Sequence, residues 1–234
     1  MDAPSPARST TTPVTTPVRV WDLPTRAFHW LLVLAVIGLV ITGGVGGSLI
    51  EWHMRLGMLV MALLAFRVLW GLIGGRWSRF ASFIYAPGTV LRYLRGHPTP
   101  GVHTEVGHNP LGAGSVFALL ALLIVQVATG LVADDEIATT GPLNKFVATA
   151  TGLAATSWHK GTGKTILIVL VVLHIAAIVF YRVKKNKNLV TPMITGDKAL
   201  PADVPPSRDS VATRVLAAVL LAACVAAAGW VFKL

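Results

Sequence analysis

The sequence predicts an all-α integral membrane protein, with a four-helix transmembrane bundle and a fifth C-terminal transmembrane helix. Three observations predict it. Hydrophobic residues make up 54% of the chain and charged residues only 13%, with a mean hydropathy of +0.68; a soluble domain of this size needs more surface charge. Five apolar runs are each long enough to span a bilayer, which takes about 20 helical residues. The net charge of +10 is gathered at the ends of those runs, as the positive-inside rule requires. That placement points to membrane lipid as the surrounding partner and argues against nucleic acid.

The elements follow in order. Residues 1–20 are rich in Ser, Thr and Pro, read as a disordered cytoplasmic tail, and lack the apolar stretch of a cleavable signal peptide. Asp22 caps a first span with Pro24 in its first turn, running to about Thr42. A Gly-rich turn leads to a second span, about Ile50–Ile73, with Arg67 well inside it. The connection 74–109 carries Arg76, Arg79, Arg92 and Arg95, and its TVLRYLRG segment reads as an amphipathic surface helix.

The third span is about Pro110–Ala133. Residues 134–157 are too polar to cross, although NKFVATATGLAAT suits an interfacial helix. The fourth span lies within Ser157–Tyr181. A basic run, Arg182 to Lys187, closes a bundle domain covering 21–187. A polar linker, 188–210, leads to the extra helix in 211–234, where Cys224 reads as inert packing. The basic segments place the N-terminus in the cytoplasm and, after five spans, the C-terminus in the periplasm.

Histidine is rare inside membranes and usually marks a site there. The fourth span carries two, His159 and His174. Fifteen residues of regular helix separate them by about 22 Å and about 60° in azimuth, so both face one side at opposite depths. Depth then pairs them with the other spans. His29 near the start of the first span matches His174 at the inner face; His53 near the start of the second matches His159 at the outer face. Each pair joins two helices of a bundle.

Two bis-histidine sites suit two haem b groups. Iron with both axial positions filled carries electrons and does not bind oxygen. Structural zinc wants four ligands together, and no CxxCH is present to attach haem covalently. Arg26, Arg55 and Arg67 are membrane-adjacent or buried cations suited to propionate carboxylates. His108 reads as a loop or cap residue and not a ligand, with a place near a propionate or a quinone as the alternative, and His97 and His103 read as solvated. Trp30, Trp52, Trp70 and Trp158 suit either interface anchors or haem neighbours. GTGKT at 161–165 is not a phosphate-binding loop: Trp158 stands where that motif needs glycine, and no strand precedes it.

Several motifs resemble the bacterial cytochrome b561 family, which includes the b-type cytochrome subunits of nickel–iron hydrogenases. They are WDLPTRAFHW at 21–30, WHMRLG at 52–57, FRVLWG at 66–71, GHNPLGA at 107–113 and the connection leading to WHKGTGK. The resemblance covers about 20–187. It implies a four-helix diheme core in the bacterial inner membrane that exchanges electrons with quinone, with His29, His53, His159 and His174 at the ligand positions. Electron transfer between quinone and an outer-face redox protein, foremost a c-type cytochrome, is the leading expectation. A quinone-linked oxidoreductase that oxidises superoxide, with Lys160, Lys164 and Arg55 drawing in the anion, is one alternative. A membrane anchor and cytochrome b subunit of a hydrogenase or dehydrogenase complex is another.

Overall fold

The computed structural model describes residues 15–97, 104–137 and 139–234. Helices α1 (Leu23–Val45), α2 (Ile50–Ile73), α4 (Pro110–Leu131) and α6 (Lys164–Lys184) make the bundle, and α8 (Val211–Phe232) is the fifth span. Short helices α3 (Pro87–Leu94), α5 (Thr149–Trp158) and α7 (Val190–Thr195) complete the described helical set, beside single turns. Bounds at α2 and α8 match the apolar runs because Gly74 and Ser210 end the pattern there.

The bundle centre is apolar: Ala35, Val60, Leu64, Leu123 and Leu167 from four helices pack together. A second cluster joins α1 and α2 to α8 through Phe28, Leu63, Phe66, Ala217, Cys224 and Ala228. The small residues let α8 approach α2 closely, the packing mode that membranes favour. Outward faces stay apolar and uncovered, with Leu34 66% and Val172 57% exposed, which suits lipid contact.

One end of the bundle carries a two-stranded ribbon. Strand β1 (Thr15–Arg19) pairs antiparallel with β2 (Asp197–Pro201). Residues 15–19, expected in a disordered tail, and 197–201, expected in a linker, are therefore ordered against each other; residues 1–14 lie outside the described set. Val18, Val20, Trp21, Trp77, Val106, Leu200 and Val204 form the small core beneath the ribbon. This is the ribbon end. The loop end, opposite, holds the turn at Gly46 and Gly47, both at positive φ where glycine is unstrained, and the 132–148 connection.

Asp22 ties the ribbon end together. Its fully buried carboxylate accepts from Thr25 N (2.8 Å), Trp70 Nε1 (3.1 Å), Gly75 N (3.1 Å) and Ser78 Oγ (2.7 Å). The predicted cap of α1 thus also fixes the exit of α2. Trp70 is a buried donor, not an interface anchor.

The fourth span departs from the sequence expectation. The helix expected in this connection is present at Thr149–Trp158, but it is not separate: it runs on through a π turn (His159–Gly163) into α6, giving 36 continuous residues, Thr149–Lys184. Its alanines and glycine satisfy helix geometry without the hydropathy that marks a span. The π turn lies at His159, so regular-helix counting from His159 to His174 does not hold across it.

Candidate functional site

At the loop end, His53 stands in the first turn of α2 and His159 opens the π turn. Their ring centres are 5.9 Å apart with the planes at 87°. Metal–imidazole bonds are about 2 Å long, so this ring spacing suits one ion held between two ring nitrogens. His53 Nδ1 lies 3.0 Å from Leu39 O, and His159 Nδ1 lies 2.9 Å from Gln126 O. A carbonyl only accepts, so Nδ1–H donates in both rings and Nε2 keeps its lone pair. That tautomer is the one ligation through Nε2 needs. A cavity of about 230 Å³ lies alongside, lined by both histidines, Gly43, Gly57, Gly130 and Phe232 of α8, with Lys160, Lys164 and Asp135 also on its wall.

At the ribbon end, His29 on α1 and His174 on α6 lie close enough to act on each other electrostatically. Among the described residues, the one partner near His174 Nδ1 is Ser115 Oγ, at 3.5 Å. His108, just before α4, joins them. Its ring packs against Trp21 (4.7 Å) and Phe83 (4.5 Å). Burial, reinforced by Arg67, His174 and His29, pushes its pKa down to about 3, so it is neutral at physiological pH. It is the loop residue the sequence reading expects, but one packed among aromatic rings beside the ribbon-end histidines, and nothing in the motif alone showed its burial.

Buried polar atoms normally find partners. Arg26 Nε, His29 Nδ1, Arg67 Nη1 and His108 Nδ1 are buried and have no hydrogen-bond partner among the described residues. Arg67 is 3% exposed with its guanidinium over Phe80 at 4.6 Å; Arg26 gives Nη1 to Ile194 O at 2.5 Å. Four such atoms at one end fit a group rich in oxygen acceptors, as the propionate carboxylates of haem are. Among the described residues no three His, Cys, Asp or Glu side chains gather as a protein-only metal cage requires.

Arg55 is not brought into either cluster. It pairs with Glu51 one turn away and stacks on Trp52 at 5.1 Å, about half-exposed. A local ion pair on an open helix face holds it, and position along the helix did not reveal the azimuth. His97 is exposed, and His103 lies outside the described residues. Thr42, Gly43, Thr129 and Gly130, which the sequence reading passed over, contact the loop-end histidines.

The family model for prokaryotic cytochrome b561 matches residues 20–196. The chain is 23% identical over 216 residues to a probable Ni/Fe-hydrogenase B-type cytochrome subunit of Bradyrhizobium diazoefficiens, covering 77% of this chain and 85% of that one. It is 25% identical over 227 residues to the subunit so described in Rhodobacter capsulatus, covering 80% and 84%. A match to the probable Ni/Fe-hydrogenase 1 B-type cytochrome subunit of Escherichia coli K12 is 24% identical over 143 residues, covering 50% and 60%. No solved structure gives a significant match. The family and the five apolar helices make it a multi-pass membrane protein of electron transfer whose cofactor is haem b. The chain belongs to the prokaryotic cytochrome b561 family.

Proposed function

We propose that this protein is a transmembrane diheme b-type cytochrome that moves electrons between membrane quinone and a redox partner at the outer face. The observation that carries the reading is the loop-end pair: two imidazoles 5.9 Å apart, each with Nδ1 committed to a carbonyl, which leaves the lone pair on Nε2. His53 and His159 hold the outer haem, and His29 and His174 the inner one. Haem supplies the one-electron redox chemistry. The protein's residues orient the ligands, exclude water through the apolar centre, and offer Arg26, Arg67 and His108 to the inner carboxylates. The chain sits in the bacterial inner membrane with the ribbon end cytoplasmic, consistent with the basic residues Arg76, Arg79, Arg182 and Lys184 there.

For the outer partner, a c-type cytochrome is the first reading. The hydrogenase subunits among the relatives favour a second, in which this chain is the membrane cytochrome of a hydrogenase-like complex. Copurification of a large iron–sulfur or nickel subunit decides for the second, and reduction of added c-type cytochrome by the isolated protein for the first. A pyridine haemochrome assay tests the core of the proposal. Two b haems per chain are expected; a colourless, folded preparation rejects it.

A further inference from the structure

The outer site contains a repeat that hydropathy hides. Residues 39–43 at the end of α1 read Leu-Val-Ile-Thr-Gly; residues 126–130 at the end of α4 read Gln-Val-Ala-Thr-Gly. Val, Thr and Gly hold the same places. Each copy meets one histidine in the same way. The carbonyl of the first residue takes the Nδ1–H, from His53 at Leu39 and from His159 at Gln126. The threonine Oγ1 lies 3.3 Å from that same nitrogen in both copies. The glycine leaves the ring its space: a Cβ at Gly43 would sit 2.8 Å from His53 Cε1, and one at Gly130 would sit 3.1 Å from His159 Cε1.

Proton accounting assigns the role of each threonine. A hydroxyl has one hydrogen. Its nearest acceptor is Gly38 O at 2.7 Å in Thr42 and Val125 O at 2.8 Å in Thr129, with Leu39 O (3.4 Å) and Gln126 O (3.0 Å) as second carbonyl acceptors, so in either case the hydrogen goes to the helix backbone. The oxygen then offers the imidazole N–H a lone pair, beside the carbonyl. Threonine bonded back to its own helix is common. Two copies facing one another across a single pair of rings are a different matter.

We propose that Thr42–Gly43 and Thr129–Gly130 are matched positioning elements that set the two imidazoles that would hold the outer haem in one tautomer and with equal donor strength. The inference rests on the diheme reading. None of the four residues ligates iron; they act through His53 and His159. An acceptor on Nδ1–H makes the imidazole a stronger base, which favours oxidised iron and holds the outer potential down.

The test is potentiometric titration and low-temperature electron paramagnetic resonance on the full-length, haem-loaded protein. The variants are Thr42→Val, Thr129→Val, their double, and Thr42→Ser and Thr129→Ser. Each Val change is expected to raise the outer haem's reduction equilibrium about threefold, or about 28 mV at 59 mV per decade. The double change roughly sums the two, the Ser variants keep the wild-type value, and the inner haem does not move. If a Val variant instead loses haem, loss of the outer one alone with retention in the Ser variant supports the inference, and equal loss of both contradicts it. Outer potentials indifferent to Val, or Ser variants behaving like Val, overturn it while leaving the diheme reading intact. Wild-type protein without an outer haem overturns both.

Discussion

The two ends of the bundle hold their histidines differently. At the loop end, each Nδ1 is bonded to a helix carbonyl at about the ideal hydrogen-bond distance, 2.9–3.0 Å. At the ribbon end, His29 Nδ1 has no partner among the described residues and His174 has one contact at 3.5 Å. The loop-end imidazoles are set by helix carbonyls; the ribbon-end imidazoles stand among buried polar atoms without partners among the described residues, Arg67 Nη1 and His108 Nδ1 included, which on the proposed reading an anionic group would complete. Outer-site variants should therefore act through imidazole geometry, and inner-site variants through charge.

The largest effect separates the ends outright. His53→Ala is expected to remove the outer haem and keep the inner, taking the content from two per chain to one, and His174→Ala the reverse. Spectra and haemochrome counts check both. Equal loss from each variant breaks the comparison.

Next, Arg67→Met should loosen the inner haem on the order of tenfold, as loss of a supporting partner does, with the outer haem unchanged. Haem retention against a scavenger reads this. An unaltered inner haem means that the buried guanidinium serves packing alone.

Stability supplies a third test. Asp22→Ala removes an acceptor from four donors, three of them from the α2 exit and its turn. Each buried donor left unpaired costs about 1–3 kcal/mol, so thermal unfolding in detergent should fall sharply. The ribbon end should loosen first, by hydrogen exchange.

A gentler pair sharpens the outer end. A Cβ at Gly43 would lie at 2.8 Å from His53 and one at Gly130 at 3.1 Å from His159. Gly43→Ala should therefore disturb outer-haem resonance signals more than Gly130→Ala, and the inner signals in neither case.

The smallest effect is on pH. Burial pushes the Asp209 carboxyl up, but bonds from Arg214, Leu23 N and Arg19 outweigh it and hold it below the usual carboxylate range. A lowered folded pKa gives stability that is full above about pH 4 and is lost as pH falls through the folded value. Ribbon-end exchange should rise in acid, by less than about 1 kcal/mol, because the arginine partners Arg19 and Arg214 are partly exposed and screened. Asp209→Asn should flatten that response.

Much of this was legible in sequence, for identifiable reasons. The spans were, since apolar length depends only on the local run; Ile50–Ile73 and Val211–Phe232 appear with those bounds. The loop-end pairing of His53 with His159 was too, since depth along a helix follows from residue number. Azimuth does not follow, which is why Arg55 was misplaced toward the site. The strand at 15–19 was hidden because its partner, 197–201, is about 180 residues away and a Thr/Pro segment has no periodicity of its own. The continuity of 149–158 with α6 was hidden by weak hydropathy. His108 needed three dimensions, because Trp21 and Phe83 reach it from separate segments.

The most direct test of the central claim is a count of haem in purified, folded wild-type protein beside His53→Ala. Two b haems per chain, falling to one, with the survivor spectrally unchanged, is the predicted result. One haem or none in the wild type, or two retained in His53→Ala, would contradict it.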